Sequence, residues 1–242
     1  MPRRGLGGLL DDREWALLLA AGSRARYSSG QALMRQGDPG STVHLVAEGQ
    51  ARVVRVRADG ITVPLAFRGA GEVLGEPMLL PGGGARSATV TAVGHCATAV
   101  FPVERFRRIV REHGLENALW ESTLVRQMES DTLRAEQAAL PVERRLPAAL
   151  LYLARSLGVS TAASITDAPG RGRRAVLVRI PLSQQEIADF VGLSRTSVAT
   201  AYTRMRQRGL IRTGRSYVAV LDMAALEALA EGGDSGGGPG GD

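Results

Sequence analysis

Residues 183–200 read SQQEIADFVGLSRTSVAT, a run with two helix starts separated by a glycine turn. Ser183 and Glu186 stand in the S-x-x-E spacing of a capping box, in which the serine hydroxyl and the glutamate carboxylate each satisfy a backbone amide that helix geometry leaves open. A helix starting there carries Ile187, Ala188 and Val191 on one side. It reaches Gly192, where a left-handed turn costs little, and Ser194 then caps a second helix. Ala188, Gly192 and Val198 supply a small residue at a close approach, a turn glycine and a β-branched anchor, so the segment reads as a helix-turn-helix. The start of the second helix can enter a major groove, which sets Arg195, Thr196, Ser197 and Thr200 against base edges or phosphates. Arg195 is the candidate for a guanine contact, with a phosphate contact as the alternative.

Residues 210–220 follow as two short strands around Thr213-Gly214-Arg215-Ser216, a wing whose Arg212 and Arg215 could grip a nucleic-acid backbone. Arg204, Arg206 and Arg208 either join them or pair with acids of the protein. The charge distribution favours a polyanion. The chain contains no lysine, and residues 171–217 hold ten of its 30 arginines against only Glu186 and Asp189. The other 20 arginines face 22 acids, so the formal net charge of +6 is concentrated in this one segment.

The remaining composition narrows the chemistry. At 242 residues and 44% hydrophobic content the chain suits one large domain or two modest ones. One cysteine, Cys96, excludes an intrachain disulfide, a CxxC zinc site and a four-thiolate iron–sulfur cluster. His44, His95 and His113 are scattered and read as surface or satisfied core residues rather than haem or metal ligands. No G-x-S-x-G, Walker or HExxH pattern occurs, so an enzyme is not expected. The apolar residues 9–21 are broken by Asp11, Asp12, Arg13 and Glu14, and no stretch has the length of a membrane span, so a cytoplasmic protein with no membrane partner is expected.

Ahead of the basic segment the pattern changes twice. Residues 9–21 have helical spacing with Asp11 or Asp12 as cap, whereas residues 31–101 alternate in short runs, with strands predicted at 32–35, 42–47, 51–56, 61–67, 87–92 and 96–101. Turn signals separate them, among them Glu48-Gly49 and Gly94, and the spacing suggests an antiparallel barrel or sandwich. Helices are predicted from Pro102, placed in a first turn, to His113, over 115–140, and over 146–157, followed by a polar connection at 159–174. Along 115–140 the seam Asn117, Glu121, Leu124, Met128, Asp131, Ala135 and Ala138 is only partly apolar, while Leu119, Trp120, Leu133 and Leu140 could face the barrel. Residues 231–242 hold seven glycines and are expected to be disordered.

Arg35-Gln36-Gly37-Asp38-Pro39-Gly40, Gly49, Gly71-Glu72-Val73, Gly75-Glu76 and Arg86-Ser87-Ala88, in that order and followed by the winged helix-turn-helix, resemble the Crp/Fnr family of bacterial transcription regulators. The resemblance implies an α+β chain: a cyclic-nucleotide-binding β-jelly-roll over 1–114, a dimerisation helix over 115–140 and a winged helix-turn-helix over 141–230. It implies a homodimer that binds double-stranded DNA, works with RNA polymerase and responds to a cyclic nucleotide, cyclic AMP first, with cyclic GMP or cyclic di-GMP as alternatives.

In the phosphate-cassette form of that family Gly75 permits close approach, Glu76 accepts from a ribose hydroxyl, Arg86 pairs with the cyclic phosphate, and Ser87 with the backbone at Ala88 adds donors. Here Pro77 removes a donor beside Glu76, and Pro81-Gly82-Gly83-Gly84 loosens the loop between the two halves. Glu76 and Arg86 could instead form a structural ion pair. The base-reading positions fall on Ser130 and Asp131, and the carboxylate suits either a purine amino group or the donors of guanine. A regulator with a degenerate pocket that binds DNA without ligand, and a nucleotide sensor acting through protein contacts, are the alternative readings.

Overall fold

The computed structural model describes residues 3–60, 62–157, 159–165, 173–178, 184–214 and 217–232. It divides into two compact units, Met1–Thr132 and Leu133–Asp242.

The first unit opens with helices α1 (Gly5–Leu9) and α2 (Asp12–Ala21). Asp11 is the cap of α2: its carboxylate accepts from the Glu14 amide at 2.8 Å while the Glu14 carboxylate accepts from the Asp11 amide at 3.0 Å. Strands β1 (Ser23–Tyr27), β2 (Ala32–Met34), β3 (Thr42–Val56), β4 (Thr62–Gly69), β5 (Val73–Leu74) and β6 (Thr89–Pro102) form one antiparallel sheet, with a single 3₁₀ turn at Glu76–Leu79 between the last two. Helix α3 (Val103–Glu112) and the long α4 (Glu116–Ala139) follow. Pro102 ends β6 and occupies the N-cap of α3 rather than its first turn.

Strands β3 and β6 pair along most of their length, from Thr42 opposite Pro102 to Val54 opposite Thr89. Strand alternation sends Val43, Leu45, Ala99 and Phe101 to one face, where Leu6, Leu18, Phe106, Ile109 and Leu115 cover them; Phe101 and Phe106 meet edge to face at 5.2 Å. Val46, Ala51, Val90, Ala92 and Cys96 pack with Met34 and Leu74 in a second core, the barrel interior.

The chain reversals predicted at Glu48-Gly49 and Gly94 do not occur. Both strands run through, with register shifts between Val46 and Glu48 and between Glu48 and Gln50. Gly49 has φ +79° and lies against the His95 carbonyl, which a Cβ would strike, so the strand bends at this register shift without ending. Strands β1 and β5 were not predicted: Arg24 and Arg26 mask the alternation of one, and two residues are too few for any period in the other.

On α4, Leu119 and Leu133 are buried, whereas Trp120, predicted to face the barrel, is 42% exposed. Leu124 and Met128 are 64% and 69% exposed, which leaves an apolar stripe on the helix surface.

The second unit contains α5 (Val142–Leu157), β7 (Val159–Ile165), β8 (Arg173–Val178), α6 (Gln184–Val191), α7 (Arg195–Gln207), β9 (Ile211–Gly214), β10 (Tyr217–Val220) and α8 (Met223–Glu231). Its sheet runs β7-β8-β10-β9, so part of the predicted polar connection is strand, specified by pairing rather than by apolar alternation. Leu146, Leu150 and Leu153 of α5 and Leu226 of α8 are buried in its core. The predicted cap at Ser183, the wing tip at Arg215 and Ser216, and residues 233–242 of the glycine-rich tail lie outside the described residues.

Gly49→Ala should lower the stability of the first unit by about 2 kcal/mol or more, because it combines a left-handed φ with a backbone collision. Denaturant unfolding followed by tryptophan fluorescence checks this.

Candidate functional site

The loop that carries Arg86 is held by the glycine-rich motif at 35–40. The Arg86 amide donates to the Asp38 carbonyl at 2.8 Å, Gly37 donates back to the Arg86 carbonyl at 2.9 Å, and Gly40 donates to the Gly84 carbonyl at 3.2 Å. The Pro81–Gly84 loop is therefore anchored at its far end. The Arg86 side chain turns inward and is buried, with Nη2 donating to the Thr42 carbonyl at 2.6 Å and to Thr42 Oγ1 at 3.0 Å. Its Nη1 has no acceptor among the described residues. Burial pulls this guanidinium below its ordinary value, and the negative charges of Asp38 and Glu76 oppose that.

Gly75 sits directly over Arg86 Nη1, with φ +83°; a Cβ there would collide with the guanidinium. Glycine thus lets the guanidinium approach the backbone more closely than any side chain would allow. Glu76 next to it does not pair with Arg86. It pairs with Arg126 of α4, each side chain less than a fifth exposed, and Arg126 Nη1 also donates to the Val73 carbonyl at 3.2 Å. On the other side Arg107 of α3 donates to the carbonyls of Met78, Leu79 and Leu80, each at 3.2 Å, which fixes the end of the 3₁₀ turn. Pro77 is accommodated because it lies in the first positions of that turn, where an amide has no intrahelical partner.

The structure brings Gly75, Glu76 and Arg86 together and leaves Ser87 exposed and Ala88 half-buried immediately after them. Ser130 is half-buried and lies one turn beyond Arg126, so both occupy the same side of α4. Asp131 is exposed and accepts from Gln127 Nε2 at 3.0 and 3.1 Å, which places it on the neighbouring face.

Sequence reasoning missed Arg126, Thr42 and His44. Only the four-residue spacing from Arg126 to Ser130 could have pointed to the first. His44 is buried but not satisfied: Nε2 lies 3.2 Å from Thr42 Oγ1, and Nδ1 has no partner among the described residues. Burial first, and the positive charge of Arg86 second, lower its pKa from 6.5 to about 4.

In the second unit the Ser194 hydroxyl caps α7 by accepting from the Ser197 amide at 3.0 Å, and the two hydroxyls lie 2.8 Å apart. The Leu193 amide closes α6 on the Ala188 carbonyl at 2.8 Å, with Gly192 at φ +67° between them. Helix α7 buries Val198, Tyr202 and Met205 and exposes Arg195, Thr196, Ser197, Thr200 and Arg204. Its predicted recognition face is thus free of the core. Arg206 donates to the hydroxyls of Thr203 and Thr213, at 3.1 and 3.3 Å, which ties α7 to β9. Arg212 on β9 is exposed.

An antiparallel barrel with an arginine buried beside its apolar core, a long helix with an exposed apolar stripe and a winged helix-turn-helix define a sensor-type DNA-binding protein. Residues 24–113 match the cyclic nucleotide-binding domain and residues 144–229 the Crp-like helix-turn-helix domain. The chain is 30% identical over 231 residues to the cyclic AMP receptor protein of Thermus thermophilus, covering 92% of this chain and 95% of that one. A CRP-family transcriptional regulator of the same organism, solved by crystallography, is 26% identical with a TM-score of 0.67 over 86% of this chain and 96% of its own. FixK2 from Bradyrhizobium japonicum, at 18% identity, shares the fold with a TM-score of 0.68 over 86% of this chain and 96% of that one. The chain belongs to the Crp/Fnr family, and it is a DNA-binding transcription regulator of that type. Among the described residues no group of His, Cys, Asp and Glu could hold a metal ion, and no helix is long and apolar enough to cross a membrane.

His44 makes stability depend on pH. An unfolded chain protonates this imidazole near pH 6.5 whereas the folded one resists to about 4, so stability is full above pH 6.5 and falls as the pH drops through that window. The loss should reach about 3 kcal/mol below pH 4, and His44→Gln should remove this part of the acid sensitivity. Denaturant midpoints measured from pH 7 to pH 4 check it.

Proposed function

We propose that this regulator works as a homodimer whose barrel binds a cyclic purine nucleotide, with cyclic AMP as the first candidate, and whose helix-turn-helix then engages DNA with altered affinity. The observation that carries the ligand reading is the buried Arg86 Nη1, a charged donor without an acceptor among the described residues, packed against the bare backbone of Gly75. A cyclic phosphate would supply the missing acceptor. Glu76, held by Arg126, would take the ribose hydroxyl, Ser87 and the Ala88 backbone would add donors, and Ser130 would face the base. The similarity to a relative named cyclic AMP receptor protein supports the same choice. Asp131, paired with Gln127, is placed to read the base only if that pair opens.

The exposed stripe of Trp120, Leu124 and Met128 suits burial against a second copy, since apolar area of this kind is otherwise left in water. A two-fold dimer then presents two copies of α7 to half-sites about 10 base pairs apart, or a multiple of that. Arg195, Thr196, Ser197 and Thr200 would face the groove, with Arg204, Arg212 and Arg215 on phosphates and Ser194 holding the helix start. Such a dimer acts in the cytoplasm by binding rather than catalysis, and would influence transcription through RNA polymerase.

Calorimetry with cyclic AMP, cyclic GMP and cyclic di-GMP tests the ligand reading. At least one should bind, and Arg86→Gln should weaken it about tenfold or more by removing a charged hydrogen bond to phosphate. Absence of heat at millimolar nucleotide, with DNA binding intact, returns the pocket to a degenerate one.

For DNA, Arg195→Ala should cost about 1 to 3 kcal/mol on the preferred site and relax one base position per half-site, whereas Arg212→Ala should weaken all sequences alike. Fluorescence anisotropy across salt concentrations on selected and scrambled duplexes measures both.

A further inference from the structure

Thr42 joins two buried groups that the family reading treats separately or not at all. Its Oγ1 accepts from Arg86 Nη2 at 3.0 Å, so the hydroxyl proton is free to go to His44 Nε2, 3.2 Å away. That arrangement leaves the neutral ring with its hydrogen on Nδ1. Nδ1 of His44 and Nη1 of Arg86 are then both buried donors without acceptors among the described residues, on side chains more than nine-tenths buried. Two orphaned donors linked through one hydroxyl are a costly arrangement in an apolar interior, and an anion relieves it.

We propose that His44 and Arg86 form one proton-linked anion site: in acid, a phosphate-type anion bound at Arg86 Nη1 is taken up together with a proton, which His44 holds. The proposal rests on the pocket reading above for its ligand but on the Arg86–Thr42–His44 chain for its linkage. Once an anion offsets the Arg86 charge, the repulsion that adds to burial in keeping His44 neutral is removed. The incoming proton goes to Nε2, which then donates to Thr42 Oγ1, while the hydroxyl hydrogen rotates away from the ring and that oxygen keeps accepting from Arg86.

Among the described residues, the groups around His44 do not supply another partner of opposite charge. Tyr27 of β1 lies with its ring 6.4 Å away, burial raises its phenol above the ordinary value, and Cys96 of β6 behind it is likewise held protonated, near 11. Thr98 of β6 is uncharged. Asp38 and Glu76 act on Arg86, and Glu76 is already engaged by Arg126. The charge that His44 feels is therefore that of Arg86, and a bound anion is what changes it.

The anion could be the phosphodiester of a cyclic nucleotide or free inorganic phosphate, and the test separates them. The Cε1–H resonance of His44 in the full chain, assigned with His44→Gln, is titrated by NMR with no added anion, with cyclic AMP and with inorganic phosphate. The midpoint should start near 4 and rise by about one pH unit with the anion that binds. Anion affinity should increase correspondingly as pH falls, by up to about tenfold in all for a midpoint that rises that far, and this dependence should vanish in His44→Gln.

Arg86→Gln should raise the midpoint with no anion present, and Arg86→Lys, which keeps the charge, should not. A shift with phosphate but none with cyclic AMP upholds the linkage and removes the cyclic AMP reading. Cyclic AMP binding by calorimetry with an unmoved His44 midpoint overturns the linkage and leaves that reading standing. A midpoint insensitive to both anions overturns the linkage whatever the Arg86 variants do.

Discussion

Each strand of the barrel sheet pairs with β3 or β6, so the antiparallel ladder between these two long strands is the constraint on which the sensor unit rests. β1 and β2 attach to β6, β4 and β5 to β3, and the pleat of the two central strands decides which side chains meet the helices and which meet the barrel interior. A one-residue slip would exchange the two cores, sending Val43 and Leu45 inward and Thr42, His44 and Val46 outward. The register shifts around Gly49 change the phase of the alternation, so that Val46 before them and Ala51 after them face the same core although five residues apart.

The same ladder explains why a guanidinium can sit inside the barrel. Burying a charge is tolerated only when hydrogen bonds replace water, and β3 presents both the carbonyl and the hydroxyl of Thr42 to Arg86. The exchange is incomplete, since one nitrogen of Arg86 and one of His44 remain without acceptors among the described residues. Around this unfinished centre the protein is well tied: Arg107 holds the 3₁₀ turn, Arg126 holds Glu76, and the 35–40 motif holds the loop. Unsatisfied donors held by so many hydrogen bonds are consistent with the ligand reading proposed above.

In the second unit, side-chain hydrogen bonds close the start of α7. Ser194 and Ser197 bond to each other across the cap, so Ser197, predicted as a reader of DNA, also orders the helix end that presents Arg195 and Thr196. Arg206 has a comparable structural part, anchoring α7 on the wing through two hydroxyls instead of pairing with an acid.

What the sequence determined by itself was local and periodic. A cap at Asp11 or Asp12, the Ser194 cap, the Gly192 turn, the barrel's alternation and the concentration of arginine are properties of neighbouring residues, and with the order of the Gly75, Glu76 and Arg86 motifs they sufficed for the class of protein. Contacts distant in sequence were decided only by the tertiary structure. Glu76 could have met either Arg86 or Arg126, 50 residues away, and nothing in the spacing of identical side chains ranks them. The 44-residue separation of Thr42 from Arg86, and the place of His44 beside them, follow from which strand face points inward, a choice the β3–β6 register makes. Gly49 and Gly94 carry the chemistry of a turn, yet a glycine opposite a paired strand becomes a bend, because the ladder hydrogen bonds on either side outweigh the local preference to reverse.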